Sequence, residues 1–238
     1  MNEQYESAGY LVCSDLLSAE HLTALRSRME AVAAGRTEFP AGDIEYEPDS
    51  RAIRKINRCA ENDPVFRSHA ENPAILDIVE SLIGPDIKLF ASQCFMKPPG
   101  GVEKPWHQDS AYFCIEPMSL VTCWTALDDV TEDNGGMWVL PGSHRGGLVR
   151  HARWQLGDRE DKQVDLTDDS RQQAITMPAG GCSFHHSLLL HRSGPNRTDR
   201  PRRGLAVHYM TAASKWTDPK TPMPPYPLLR GREHPGCV

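Results

Sequence analysis

Long apolar runs are missing from this chain of 238 residues. The longest span only a few positions, as in Leu188-Leu189-Leu190, so no membrane-crossing helix is expected. A basic excess is missing too: 26 lysines and arginines against 32 aspartates and glutamates give a net charge of −6. That balance argues against nucleic acid and against an anionic membrane as partners. Seven cysteines contain no Cys-x-x-Cys pair, and an odd number suits reduced thiols better than a disulfide framework. The opening MNEQYESAGY is polar and acidic, unlike a signal or transit peptide, which with the thiols points to the cytoplasm. Asn196-Arg197-Thr198 matches a glycosylation acceptor, read here as coincidence in a chain without a secretory signal. Internal repeats, low-complexity tracts and the His-Glu-x-x-His zinc motif are all absent.

What remains is long enough to bury one sizeable core, so residues 1–238 are expected to form a single domain. Ser18 followed by Leu22, Leu25, Met29 and Val32, with Gly35 behind, predicts a capped amphipathic helix. Asn72-Pro73 opens a second helix through Ile75, Val79 and Leu82, and Gly84-Pro85 stops it. From residue 86 the texture changes to short strand-like segments, near 87–96, 120–127, 137–140, 174–177, 182–190 and 204–210. Glycine, proline, asparagine and aspartate separate them, the pattern of a sandwich or barrel rather than of alternating β-α units. The expected plan is a helical part over about 1–85, a β core over about 86–215 and a strap over about 216–238. The proline-rich 221–227 lies in that strap. Residues 146–173 are charged and weakly patterned, as functional loops or lids often are.

The chemistry concentrates in two places. In PWHQDSAYF, extended backbone would turn His107 and Asp109 to one face and Gln108 away. A lone His-x-Asp is weak evidence, because two ligands rarely hold an ion. Two histidines and one carboxylate on one triangular face suit non-haem iron with open positions for cosubstrate and dioxygen. The stretch SFHHSLLLHRSGPNRTDRPRRGLAVHYM offers several candidates for the third ligand.

HQD, then NGGMWVLPGSH, then LLLHRSGPN followed by an arginine-bearing strand resembles the phytanoyl-CoA dioxygenase family of iron(II)/2-oxoglutarate oxygenases, over roughly residues 86–210. The resemblance implies a mainly β fold with flanking helices, a double-stranded β-helix (jelly roll, cupin-like). It implies Fe(II), 2-oxoglutarate and O2 as cofactor and cosubstrates, with a small-molecule substrate hydroxylated at an aliphatic C–H bond and succinate and CO2 released. His107, Asp109 and His191 match the family's iron ligands. Arg202, eleven residues after His191, matches the arginine that grips the far carboxylate of 2-oxoglutarate, a task for a planar guanidinium fork. Strand parity allows only one of Arg202 and Arg203 to face inward, and the family spacing favours Arg202. Lys97, Trp124 and Ser193 fall where members line or bond the 2-oxoglutarate pocket. Asp109 fills the seat that halogenating relatives leave open for chloride. Arg192 departs from the glycine that members often carry after the distal histidine.

Other candidates have plainer readings. His144 suits a turn, and His185 and His186 suit hydrogen-bonded places in the strand leading to His191. His151, His208 and His234 lack partner spacing. Asn134-Gly135-Gly136 and Pro141-Gly142-Ser143 read as tight turns, Asp128-Asp129 as solvated carboxylates, and Cys123 and Cys182 as packing residues. Tyr112 and Phe113 can wall a substrate pocket or pack in the core. Two other functions compete: a non-catalytic jelly roll that binds metal or a small ligand, and a zinc hydrolase, since zinc accepts the same ligands. The arginine clamp has no use in the first, and no carboxylate is placed as general base for the second.

Overall fold

The structure is a computed structural model and describes residues 2–47, 52–156, 159–166 and 168–238. Among the described residues five α-helices occur, α1 (Asn2–Ala8), α2 (Ala19–Ala33), α3 (Cys59–Asn62), α4 (Pro64–Ala70) and α5 (Pro73–Ile83). The first strands are β1 (Tyr10–Cys13), β2 (Ile44–Tyr46), β3 (Ile53–Asn57), β4 (Ile87–Lys97), β5 (Lys104–His107), β6 (Ile115–Glu116), β7 (Val121–Ala126) and β8 (Met137–Val139). They continue with β9 (Ala152–Leu156), β10 (Arg159–Gln163), β11 (Gln173–Ile175) and β12 (Cys182–His186). The last are β13 (His191–Ser193), β14 (Arg202–Thr211), β15 (Lys215–Trp216) and β16 (Leu228–Arg230).

The larger sheet runs β1-β12-β7-β14-β4-β3-β2, with β16 also paired to β4. The smaller runs β11-β8-β13-β5, and every pairing in both is antiparallel. This is the mainly β, jelly-roll architecture of the cupin-like double-stranded β-helix, with helices stacked on the outside of the larger sheet.

Local chemistry accounts for the helices. The Ser18 hydroxyl accepts from the His21 amide at 3.2 Å, capping α2, and Leu22, Leu25, Met29 and Val32 are buried as their spacing predicts. Asn72 caps α5 by accepting from the Ala74 amide at 3.0 Å, with Pro73 at the first helical position. Both helices bury their apolar stripes with Phe66, Phe184, Val207 and Tyr209, which form the core between helices and larger sheet.

Three segments differ from expectation. The N-terminal part is not only helical, because β1, β2 and β3 join the larger sheet. The strand expected over 182–190 stops at His186, and the next, β13, starts only at His191, since the Leu188 amide donates to His186 Nδ1 and the Leu189 amide to the His186 carbonyl. The resulting turn carries the chain across to the other sheet, so His185 and His191 belong to different layers. The 146–173 stretch is not an unstructured loop: β9 and β10 pair as a hairpin within it, residues 157, 158 and 167 lying outside the described residues. In the strap, β16 adds an edge to the larger sheet, and Pro227 accepts a backbone hydrogen bond from Leu89.

Candidate metal centre and cosubstrate pocket

Strand pairing brings the distant residues together. In β13 and β5, His191 and His107 are direct cross-strand partners, and their rings lie 4.1 Å apart between centroids. Gln108 is extended at φ −120°, ψ 136°, so Asp109 falls on the same side as His107 before the chain tightens into a 3-10 turn. The result is a buried trio whose ligand atoms lie within 4.8 Å of one another, with Asp109 Oδ1 3.8 Å from His107 Nε2 and 3.6 Å from His191 Nε2.

Both imidazoles are set to face this point. His107 Nδ1 lies 2.8 Å from the Pro105 carbonyl and His191 Nδ1 3.0 Å from the Leu189 carbonyl. A carbonyl only accepts, so each Nδ1 carries the proton and each Nε2 presents a lone pair to the trio. Burial pushes His107 well below the ordinary histidine value, with His191 adding to the shift, and takes His191 down to about 4. Burial alone would raise Asp109. Its histidine neighbours, His191 first and then His185 and His208, outweigh that and hold the carboxyl well below the usual range. Two neutral imidazoles and an ionised carboxylate are therefore ready without proton release, and this donor set fits ferrous iron.

Beside the trio stands Arg202, 4% exposed. Parity resolves as the family spacing suggests: Arg202 lines the cavity, while Arg203 turns to Asp128 and Glu30. Arg202 Nη2 donates to the Gly135 carbonyl at 2.7 Å, and its guanidinium stacks 5.2 Å from the Trp124 ring centre. Its Nε is buried and has no hydrogen-bond partner among the described residues. Burial lowers its pKa to about 10, so the cation persists at neutral pH without a bound carboxylate. Lys97 is its cross-strand partner and donates from Nζ to Ser193 Oγ at 2.9 Å and to the Gly194 carbonyl.

A cavity of about 280 Å³ joins these groups, lined also by Gln93, Phe95, Met137, Thr122, His185 and His208. Tyr112 and Phe113 both line it. Phe113 packs on Phe90 at 4.5 Å, whereas Tyr112 stays 39% exposed and hydrogen-bonds to Lys104 and Asp161. Asp161 comes from β10, so the hairpin reaches the cavity rim. Lys104 above all, against the opposing effect of burial, holds its carboxyl at about 2.

Several residues with no evident partner in the sequence matter here. His208 touches Thr122, and both lie beside Asp109. Its place was readable from parity, since Arg202, Gly204, Ala206 and His208 alternate to one face of β14. The Gly135 turn holds Arg202 by a backbone carbonyl, which no side-chain pattern reveals. Asp128 is not simply solvated: it receives the Arg203 amide, Nε and Nη2. His144 meets the Glu6 carbonyl and His234 meets Asp86, both away from the trio. His151 Nε2 accepts from the Gln108 amide, bracing the residue between the two ligand candidates. Arg192 sits against Trp106 and Trp138 and also borders the cavity.

A jelly roll with two histidines and one carboxylate converging between its sheets, and a buried guanidinium beside them, defines a class of metal-dependent oxygenases. The comparisons agree. The phytanoyl-CoA dioxygenase (PhyH) family model matches residues 5–204. The chain is 31% identical to the peroxisomal phytanoyl-CoA dioxygenase of Rattus norvegicus over 234 residues, covering 91% of this chain and 69% of that one. It is 28% identical over 224 residues to a probable alpha-ketoglutarate-dependent hypophosphite dioxygenase of Stutzerimonas stutzeri, covering 90% and 78%. Among solved structures, the apo non-heme monooxygenase ThoJ superposes with a TM-score of 0.81 at 27% identity, over 100% of this chain and 86% of that one. EctD from S. alaskensis with bound Fe shares the fold, with a TM-score of 0.81 at 24% identity over 98% and 86%.

The chain belongs to the phytanoyl-CoA dioxygenase family. It is an iron(II)- and 2-oxoglutarate-dependent oxygenase acting with O2 on small molecules, which decides against the non-catalytic and zinc-hydrolase readings. No helix among the described residues is long and apolar enough to cross a membrane.

Proposed function

We propose that this protein hydroxylates an aliphatic C–H bond of a small metabolite, using His107, Asp109 and His191 to hold iron(II) and Arg202 to grip 2-oxoglutarate. The observation that carries the assignment is the convergence of three buried ligand atoms beside a buried guanidinium that has no carboxylate partner within ion-pair distance among the described residues. Bound iron(II) with 2-oxoglutarate supplies the oxidising power, drawn from dioxygen, that breaking a C–H bond requires, and succinate and CO2 leave.

The protein's own contribution is placement. His107 and His191 present fixed Nε2 lone pairs, and Asp109 supplies the negative charge. Arg202 has Gly135 and Trp124 holding its fork in position, so an incoming carboxylate meets donors already aimed. Lys97 and Ser193 sit together beside it and give the pocket its second polar wall. Tyr112 and Phe113 flank the substrate side, with the β9–β10 hairpin closing the rim. Free cysteines support a reducing compartment such as the cytoplasm, and the net charge of −6 supports an encounter with small molecules rather than with nucleic acid or membrane.

Succinate release, measured across a panel of small metabolites, should require added iron(II) and 2-oxoglutarate. Asp109→Ala should abolish it, because it removes the anionic ligand. Full activity in that variant would remove Asp109 from the site.

A further inference from the structure

The two oxygens of Asp109 have different environments. Oδ1 faces His107 Nε2 and His191 Nε2, at 3.8 and 3.6 Å. Oδ2 turns into the larger sheet, where Thr122 Oγ1 lies at 3.0 Å, His185 Nε2 at 3.5 Å and His208 Nδ1 at 3.9 Å. Only the threonine is within ordinary hydrogen-bond distance. Its hydroxyl also lies 2.8 Å from His208 Nδ1.

Hydrogen-bond directions in this chain follow from counting protons. An ionised carboxylate only accepts, so the single Thr122 proton goes to Asp109 Oδ2. Thr122 Oγ1 then has only lone pairs for His208, and His208 Nδ1 must donate to it. The order is His208 Nδ1–H to Thr122 Oγ1, then Thr122 Oγ1–H to Asp109 Oδ2. All three residues are buried, and Thr122 and His208 are direct cross-strand partners on adjacent strands β7 and β14. Asp109 itself lies outside both strands, at the start of a short 3-10 turn that Ser110 ties to Ser187. The sheet thus reaches the carboxylate itself through the Thr122 hydroxyl.

We propose that Thr122 and His208 are positioning residues that act in series: they fix the carboxylate of Asp109 so that Oδ1 alone is offered to the metal. The inference rests on the assignment of Asp109 as a ligand and adds the pair that orients it. Ligand carboxylates need such partners, and losing one typically costs about 10–100-fold in metal affinity. His208 makes its contribution through Thr122, because its direct distance to Oδ2 is too long for a hydrogen bond.

The test is calorimetric titration of Ni2+, which imidazole ligands suit, into the whole metal-free protein, with circular dichroism to verify folding. Thr122→Val keeps shape and strand propensity but removes the hydroxyl, and should raise the Kd by about 10–100-fold. Thr122→Ser, which retains the hydroxyl, should restore binding to within a few-fold. His208→Ala should weaken binding by a smaller factor. The double variant Thr122→Val/His208→Ala should match Thr122→Val alone, because the second change has nothing left to act through. A wild-type Kd in folded Thr122→Val, or two effects that multiply in the double variant, would overturn the series arrangement. His191→Ala separates this from failure of the metal site itself: wild-type affinity there would mean that Ni2+ binds elsewhere.

Discussion

Arg202 shows how much a single side chain depends on neighbours that carry no charge. Its partner strand supplies Trp124, and Gly204, two residues along, supplies the space for that indole: a Cβ at 204 would stand 2.2 Å from Trp124 Cζ2. Glycine is required there for close approach of ring and backbone. Arg202→Ala should raise the half-saturating 2-oxoglutarate concentration on the order of 100-fold, the loss expected for charge-assisted hydrogen bonds. Arg202→Lys should recover little, since an ammonium cannot present the planar fork. Gly204→Ala should raise the same requirement by roughly 10-fold by displacing Trp124 and with it the guanidinium, an overpacking cost. Direct binding of 2-oxoglutarate to the Ni2+-loaded protein measures both effects, and unchanged affinity in Arg202→Ala would move the clamp to another cation.

At the scale of elements, the β9–β10 hairpin is a two-stranded sheet separate from the larger and smaller ones, tied to the rim through polar side chains. Asp161 accepts from Lys104 and from the Tyr112 hydroxyl, and Lys162 donates to the Ala111 carbonyl while its ammonium lies 4.9 Å from the Tyr112 ring centre. The Val164 amide adds one backbone bond to the Trp106 carbonyl. An element tied down this way opens at lower free energy than the sheets beneath it. Asp161→Asn should therefore speed amide hydrogen exchange in β9 and β10 by several-fold while leaving β7 and β14 unchanged. Equal protection in the variant would show that the hairpin is held by something other than this carboxylate.

Across the whole molecule, helices and larger sheet meet over a core that takes in the buried imidazole of His69. His69 is fully buried, with Nε2 3.0 Å from Thr125 Oγ1 and Nδ1 3.1 Å from His21 Nε2. Burial, and then the neighbouring His21, lowers its pKa from 6.5 to about 3. Below pH 6.5 the unfolded chain binds a proton that the folded chain refuses until about pH 3. Stability contributed by the neutral ring is thus complete above pH 6.5 and lost as pH falls, by up to about 1.4 kcal/mol per pH unit. His69→Gln should flatten the decline in unfolding free energy between pH 6.5 and 4.5 by about that slope, measured by urea titration at each pH. An unchanged slope would assign the acid sensitivity to other groups.

The sequence by itself determined what is local. Ser18 and Asn72 cap helices because a side-chain oxygen reaches an amide two or three residues on. His107 and Asp109 share a face because extended backbone repeats every two residues. The order of motifs was enough to point to a family, and through it to His191 and Arg202, although chain spacing alone says nothing about which histidine meets Asp109. That was decided by β13 pairing with β5 in the register that sets His191 opposite His107, after the turn at 187–189 had carried the chain from one sheet to the other. The hold of Gly135 on Arg202, the Thr122–His208 pair and the hairpin at the rim belong to the same category. Each joins segments dozens of residues apart, and such contacts come from sheet register and layer packing, which no local periodicity encodes.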